Sequence, residues 1–192
     1  WLGPRGRDKP TDGALLDEVK ARFEGVTTRY AHVVVDEAQD LTLFQLRAVM
    51  RRSDGLTLVG DDAQRSVAAG LGLRKVAEML GTPLEQMDIA YRMSAEIADW
   101  LNAHAVRNGI DSVRLVGIRP NGIAVVDAPR TDAETHRARL AERWENVALI
   151  ERSDVWSHKG VEYDGVVVDT AGLSAHEVYL AASRAAHELV IV

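Results

Sequence analysis

The stretch AHVVVDEAQDLT, Ala31 to Thr42, drives an apolar run into Asp36 and Glu37, with Asp40 close behind. Two carboxylates at the end of a strand can divide labour. One can hold Mg²⁺, a hard cation that prefers carboxylate and phosphate oxygens, while the other accepts a proton from an attacking water. An isolated Asp-Glu pair more often marks a solvated turn, so the neighbours of this pair decide its weight.

Those neighbours repeat the layout. LVGDDAQRS runs an apolar segment into Gly60, Asp61 and Gln64, whose amide could sense a phosphate or a positioned water. IAYRMS sets Tyr91, with a face that can stack on a base, beside Arg92, with a fork that can clamp phosphate oxygens. In WSHKGVEYDGVVV, Lys159, Gly160 and Glu162 precede a strand; the glycine permits close backbone approach and the glutamate could accept from a ribose hydroxyl. VYLAASRAAHELVIV places Arg184 on an alanine-rich helix, either as a surface charge or aimed into a cleft. Each segment alone has an ordinary structural explanation in a turn, a packed Tyr or an edge strand.

The elements that would carry these residues alternate along the chain. TDGALLDEVKARFEG puts Leu15, Leu16, Val19 and Phe23 at helical spacing behind a Thr11/Asp12 cap and before Gly25, which predicts an amphipathic helix. AHVVV, LTLVG, QMDIA, SVRLVG, GIAVVD, NVALI, DGVVVD and ELVIV read as strands. Between them, TLFQLRAVMRR opens on Thr42 and Gln45 in capping-box spacing, and LRKVAEML follows as a helix. SAEIADWLNAHAV is capped by Ser94, TDAETHRARLAERW has a polar face, and SAHEVYLAASRAA opens on a Ser174/Glu177 capping box. Apolar strands alternating with helices predict an α/β fold with a parallel sheet covered on both faces. Such sheets bind ligands beyond the C-terminal ends of their strands, where Asp36 and Glu37 fall.

Composition narrows the classes. With 192 residues, 46% of them hydrophobic, the chain can bury a core as one large or two small domains. The net charge of −6 argues against a wholesale polyanion-binding surface, so nucleic acid has to be argued from motifs. The absence of cysteine excludes disulfides, thiolate metal sites and a Cys nucleophile within the chain. No apolar run approaches a membrane span and the start lacks a signal-peptide layout, so a cytoplasmic location is expected. The first residue is Trp1, which suggests a fragment of a longer protein.

Taken together and in order, DEAQD, GDDAQ, YR, KGVEYD and YLAASRA resemble motifs II to VI of the UvrD/Rep-type superfamily 1 helicase motor, over Val33 to Val192. The resemblance implies parallel-sheet RecA-like lobes of the P-loop NTPase kind. A partial first lobe would span 1–88 and a complete or nearly complete second lobe 89–192. It implies ATP and Mg²⁺ as cofactors, with Asp36 on the metal and Glu37 as the base that activates water. Gln39 and Gln64 would sit near the γ-phosphate, Tyr91 on adenine and Glu162 at the ribose, with Gly160 also among the nucleotide-binding residues. Arg92 and Arg184 would be arginine fingers. Single-stranded DNA is the implied partner, and a membrane is not.

The chain also departs from that family. It has no GxxxxGK[ST] phosphate loop, and GLGLRK near Gly70 has neither the spacing nor the ending. ATP hydrolysis is therefore expected of a longer polypeptide and not of this chain alone, unless the chain is a non-catalytic interaction module. Trp156 stands where motif V has its His, with His158 beside Lys159, and the path from Ile150 to Val155 is abrupt. The short span from Arg92 to Lys159 leaves no room for a large accessory insertion. The missing insertion, the altered motif V and the run SVRLVGIRP look more like the helicase IV or HelD-type branch, some members of which act on RNA polymerase. A sheet edge left bare by a missing phosphate-loop strand is expected to be covered by the N-terminal helix or by residues outside this sequence.

Overall fold

Every paired strand is parallel, as the alternation of apolar strands and helices predicts. The computed structural model describes residues 10–192, with side chains from residue 13 onward. The expected Thr11/Asp12 cap lies outside the described side chains. The chain forms two compact units that divide between Leu84 and Glu85. Among the described residues, no helix is long and apolar enough to cross a membrane.

The first unit contains α1 (Pro10–Glu24), β1 (Tyr30–Val35), α2 (Leu43–Met50), β2 (Ser53–Leu58) and α3 (Leu73–Leu80). β1 and β2 pair in parallel, with Val33 opposite Leu56 and Val35 opposite Leu58, and α2 is the crossover between them. The Thr42–Gln45 capping box forms as its spacing requires: Gln45 N donates to the Thr42 hydroxyl, and Thr42 N donates back to Gln45 Oε1 at 2.9 Å. The residue before α3, Gly72, supplies no capping side chain, so Asp62 caps the helix instead by accepting from Leu73 N at 2.6 Å and Arg74 N at 3.2 Å.

Two expectations fail in this unit. The apolar stripe of α1 does not face a core: Leu15, Leu16 and Val19 are exposed and Phe23 is 87% exposed. Its acidic edge turns inward, because Arg51 and Arg52 at the end of α2 pair with Asp17 and Glu18. Nor is β1 covered on both faces, since Val34 keeps 67% of its surface. α1 lies against α2.

The second unit holds β3 (Ile89–Ala90), α4 (Ala95–Asn108), β4 (Val116–Gly117), β5 (Val126–Asp127) and α5 (Ala133–Ala141). It continues with β6 (Val147–Ile150), β7 (Tyr163–Val168), α6 (Ala175–Ala182) and β8 (Ala185–Ile191). β3 pairs with β4, and the other strands form a sheet of order β5-β8-β7-β6. Val166, Val167 and Val168 alternate faces along β7 and are all fully buried, so this sheet is covered on both sides. On one side Leu140 of α5 and Trp144 pack with Val167, Val190, Val192 and Val147. Gly165 on β7 lets α5 approach, because a Cβ there would lie 3.3 Å from both Leu140 and Trp144. Strand limits differ from the sequence reading: β3, β4 and β5 shrink to two residues each, while β2 and β8 begin earlier.

Candidate functional site

The turn after β1 and the turn after β2 are stitched together by backbone. Val59 N donates to Val35 O and Ala38 N to Val59 O, each at 2.9 Å. This places the acidic ends of both strands side by side. Asp36 is exposed, and its Oδ1 accepts from Glu37 N at 2.8 Å. Glu37 sits in the left-handed region, φ 54° and ψ 33°, the one non-glycine residue with positive φ among those described. That conformation costs a side-chain-bearing residue on the order of 1 kcal/mol, and such strain is held only where the surroundings enforce it.

The enforcing residue is Gln39. Its side chain has no exposed surface, its Nε2 donates to Glu37 Oε2 at 2.6 Å, and its Oε1 accepts from Asp61 N at 3.2 Å. The amide thus bridges the two turns. Gly60 makes room for it: a Cβ at that position would lie 2.0 Å from Gln39 Oε1, so a lack of space, and not a positive φ, demands glycine. Asp61 in turn accepts from Ala63 N and from Gln64 Nε2, both at 2.9 Å. The chain of contacts runs from Gln64 through Asp61 and Gln39 to Glu37. Asp40 stands apart from it, accepting from Ser66 N at 2.8 Å and Val67 N at 2.9 Å and so fixing the following loop.

The structure therefore brings Asp36, Glu37, Gln39 and Gln64 to neighbouring strand ends, but in different settings. Gln39, expected at the γ-phosphate, is buried and spends its amide on Glu37 and Asp61. Its place in the sequence could not reveal this, because the residue that admits it, Gly60, lies in another turn.

The second unit gathers the remaining candidates. Tyr91 follows β3 and is 57% exposed. Arg92 forms an ion pair with Glu162, their side chains 73% and 41% exposed. Glu162 ends a turn that contains Gly160 at φ +77°, where a side chain would be strained although space is open around it. His158 closes the base of that turn: its Nδ1 lies 2.8 Å from the Tyr163 hydroxyl and its Nε2 3.2 Å from Asp154 Oδ2. Tyr163 N then donates to Arg184 O at 2.9 Å, joining the start of β7 to the turn after α6. The sequence reading missed this clasp, although a His and a Tyr bracketing a glycine turn were a signal for it.

Arg184 corrects an expectation. α6 ends at Ala182 and β8 begins at Ala185, so Arg184 lies in the connecting turn and not on a helix. It is buried, its Nε donating to Leu180 O at 3.3 Å and its Nη2 to Ser183 Oγ at 2.9 Å. Nearby, the backbone N–H of Ser174 donates to Glu177 and holds its carboxyl below the ordinary glutamate range, which keeps the capping box charged.

Among the described residues, no three or more His, Cys, Asp or Glu side chains cluster to hold a metal. Mg²⁺ bound with a nucleotide needs no such cluster. It takes one or two carboxylates and completes its shell with phosphate and water, a demand that exposed Asp36 fits.

No protein-family model matches the sequence. No curated protein matches it either. Solved structures do. An arterivirus nonstructural protein 10, a helicase, is similar with a TM-score of 0.59 and 18% identity over 86% of this chain and 40% of its own. The same helicase in complex with DNA gives 0.60 and 18% over 87% and 40%. A PRRSV helicase gives 0.55 and 17% over 82% and 34%. The chain has a mixed α/β fold with parallel sheets, similar to part of these structures, and spans about 40% of the length of the arterivirus helicases.

Proposed function

We propose that the chain is the C-terminal motor portion of an ATP-dependent superfamily 1 DNA helicase or translocase. Residues 1–88 would be part of a first RecA-like lobe and 89–192 a second. The observation that carries this reading is the strained, Gln39-supported Glu37 beside exposed Asp36 at a parallel strand end, within a helicase-type fold.

In this reading Glu37 accepts the proton of the attacking water, and Gln39 holds the carboxylate that does so. Asp36 would bind Mg²⁺, which neutralises phosphate charge when present. Gln64, hydrogen-bonded to Asp61, would meet the γ-phosphate. Tyr91 offers its face to adenine, Glu162 lies at the ribose with Gly160 permitting close backbone approach, and Arg92 supplies positive charge to the phosphates. Arg184 would have to leave Leu180 O and Ser183 Oγ to act in the same way. The phosphate loop that completes such a site would come from a longer polypeptide. A polypeptide carrying that loop together with this chain should hydrolyse ATP faster with single-stranded DNA present; indifference to DNA would count against the translocase reading.

The motif V region supports a second reading, a HelD-type remodeller of RNA polymerase. His158 Nδ1 is engaged with the Tyr163 hydroxyl, while Trp156 is 44% exposed. Co-purification with RNA polymerase, lost on Trp156→Ala, would favour it.

A further inference from the structure

Arg92 and Glu162 reach each other from backbones that are anchored independently. On the Arg92 side, Ser94 N donates to Ala186 O at 2.8 Å and the Ser94 hydroxyl caps α4. On the Glu162 side, Asn146 Nδ2 donates to Glu162 O at 2.9 Å, Tyr163 N is bonded to Arg184 O, and the His158–Tyr163 clasp closes the turn. The two side chains meet with Arg92 73% and Glu162 41% exposed, so both remain open to solvent.

We propose that this pair is a latch that makes the nucleoside subsite of the second unit selective for phosphorylated ligands. The proposal rests on the nucleotide reading above, in which Glu162 accepts from ribose hydroxyls and Arg92 serves the phosphates. A guanidinium on Glu162 occupies a carboxylate oxygen with which a ribose hydroxyl would otherwise bond. A nucleotide removes that obstacle itself, because its phosphate offers Arg92 a stronger, multiply charged partner. A bare nucleoside has nothing with which to draw Arg92 away. The pair is exposed, so the latch is weak and easily displaced. Arg92 is thereby a specificity-determining residue as well as a phosphate ligand.

The test is a calorimetric titration, with adenosine and with ATP, of a polypeptide that carries the phosphate loop together with this chain, as wild type, Arg92→Gln, Glu162→Gln and the double variant. Arg92→Gln should bind adenosine about two- to fivefold more tightly than wild type, the range an exposed ion pair allows, while binding ATP more weakly. Glu162→Gln should weaken adenosine, and the double variant should match Glu162→Gln, because the gain acts through Glu162. Added salt should tighten adenosine on wild type and leave Arg92→Gln unaffected. Equal or weaker adenosine binding by Arg92→Gln overturns the latch alone. Failure of every form to bind either ligand overturns the nucleotide reading and the latch with it.

Discussion

The amide of Gln39, with no exposed surface, donates to Glu37 Oε2 at 2.6 Å and holds that carboxylate on a left-handed backbone at the end of β1. The same amide accepts from Asp61 N, so the turns after two strands share one buried side chain. Under the proposed function, in which Glu37 is the base, a carboxylate held in this way would have less freedom to lose when it takes the proton.

Gly60→Ala should destabilise the first unit by about 1–3 kcal/mol, since the added methyl meets Gln39 Oε1 in a filled space. Gln39→Ala should also destabilise it, leaving Asp61 N without its acceptor. The double variant should lose less than the sum of the two, because shortening Gln39 makes room for the methyl. Urea unfolding of the four proteins checks this; strict additivity would mean the two residues do not meet.

Acid should loosen the first unit through Asp17 and Glu18. Hydrogen bonds from Arg52 and from Arg51, respectively, hold their carboxyls below the ordinary range. A folded pKa below the unfolded one gives stability that is present above the unfolded value, at about pH 4. That stability is lost as pH falls through the lowered folded values. Arg51→Ala should flatten the acid limb of stability against pH, and high salt should partly reproduce it. An unchanged limb would show that these pairs do not contribute.

Phe23 and Leu140 are both large apolar residues on helices, and they should respond oppositely to truncation. Phe23→Ala, at a site 87% exposed, should change stability by less than about 0.5 kcal/mol. Leu140→Ala, fully buried against Val167 and Val190, should cost about 2–5 kcal/mol. Thermal unfolding of the two variants separates these outcomes, and a large loss at Phe23 would restore the core role its helical spacing suggests.

What could be read from the sequence was what local bonds determine. The Thr42 and Ser174 capping boxes and the Ser94 cap all depend on groups within a few residues of one another. The parallel alternation was legible for the same reason. The burial of Gln39 was not, because it depends on Gly60 in a distant turn. The orientation of α1 depends on Arg51 and Arg52 at the end of α2, whose charges outweigh an apolar stripe with no core to meet. The alanines after α6 favour helix by propensity, yet Ala185 pairs across from Tyr163 and the sheet takes the segment. β3, β4 and β5 are short because only a few residues of each run find a neighbouring strand.

The central claim is that Glu37 activates water in an ATP-hydrolysing motor. The most direct measurement is steady-state ATP hydrolysis, with single-stranded DNA present, by Glu37→Gln in a polypeptide that includes the phosphate loop, alongside nucleotide affinity for the same protein. The account predicts a fall in turnover of about 10²-fold or more with ATP still bound; undiminished hydrolysis by Glu37→Gln would contradict it.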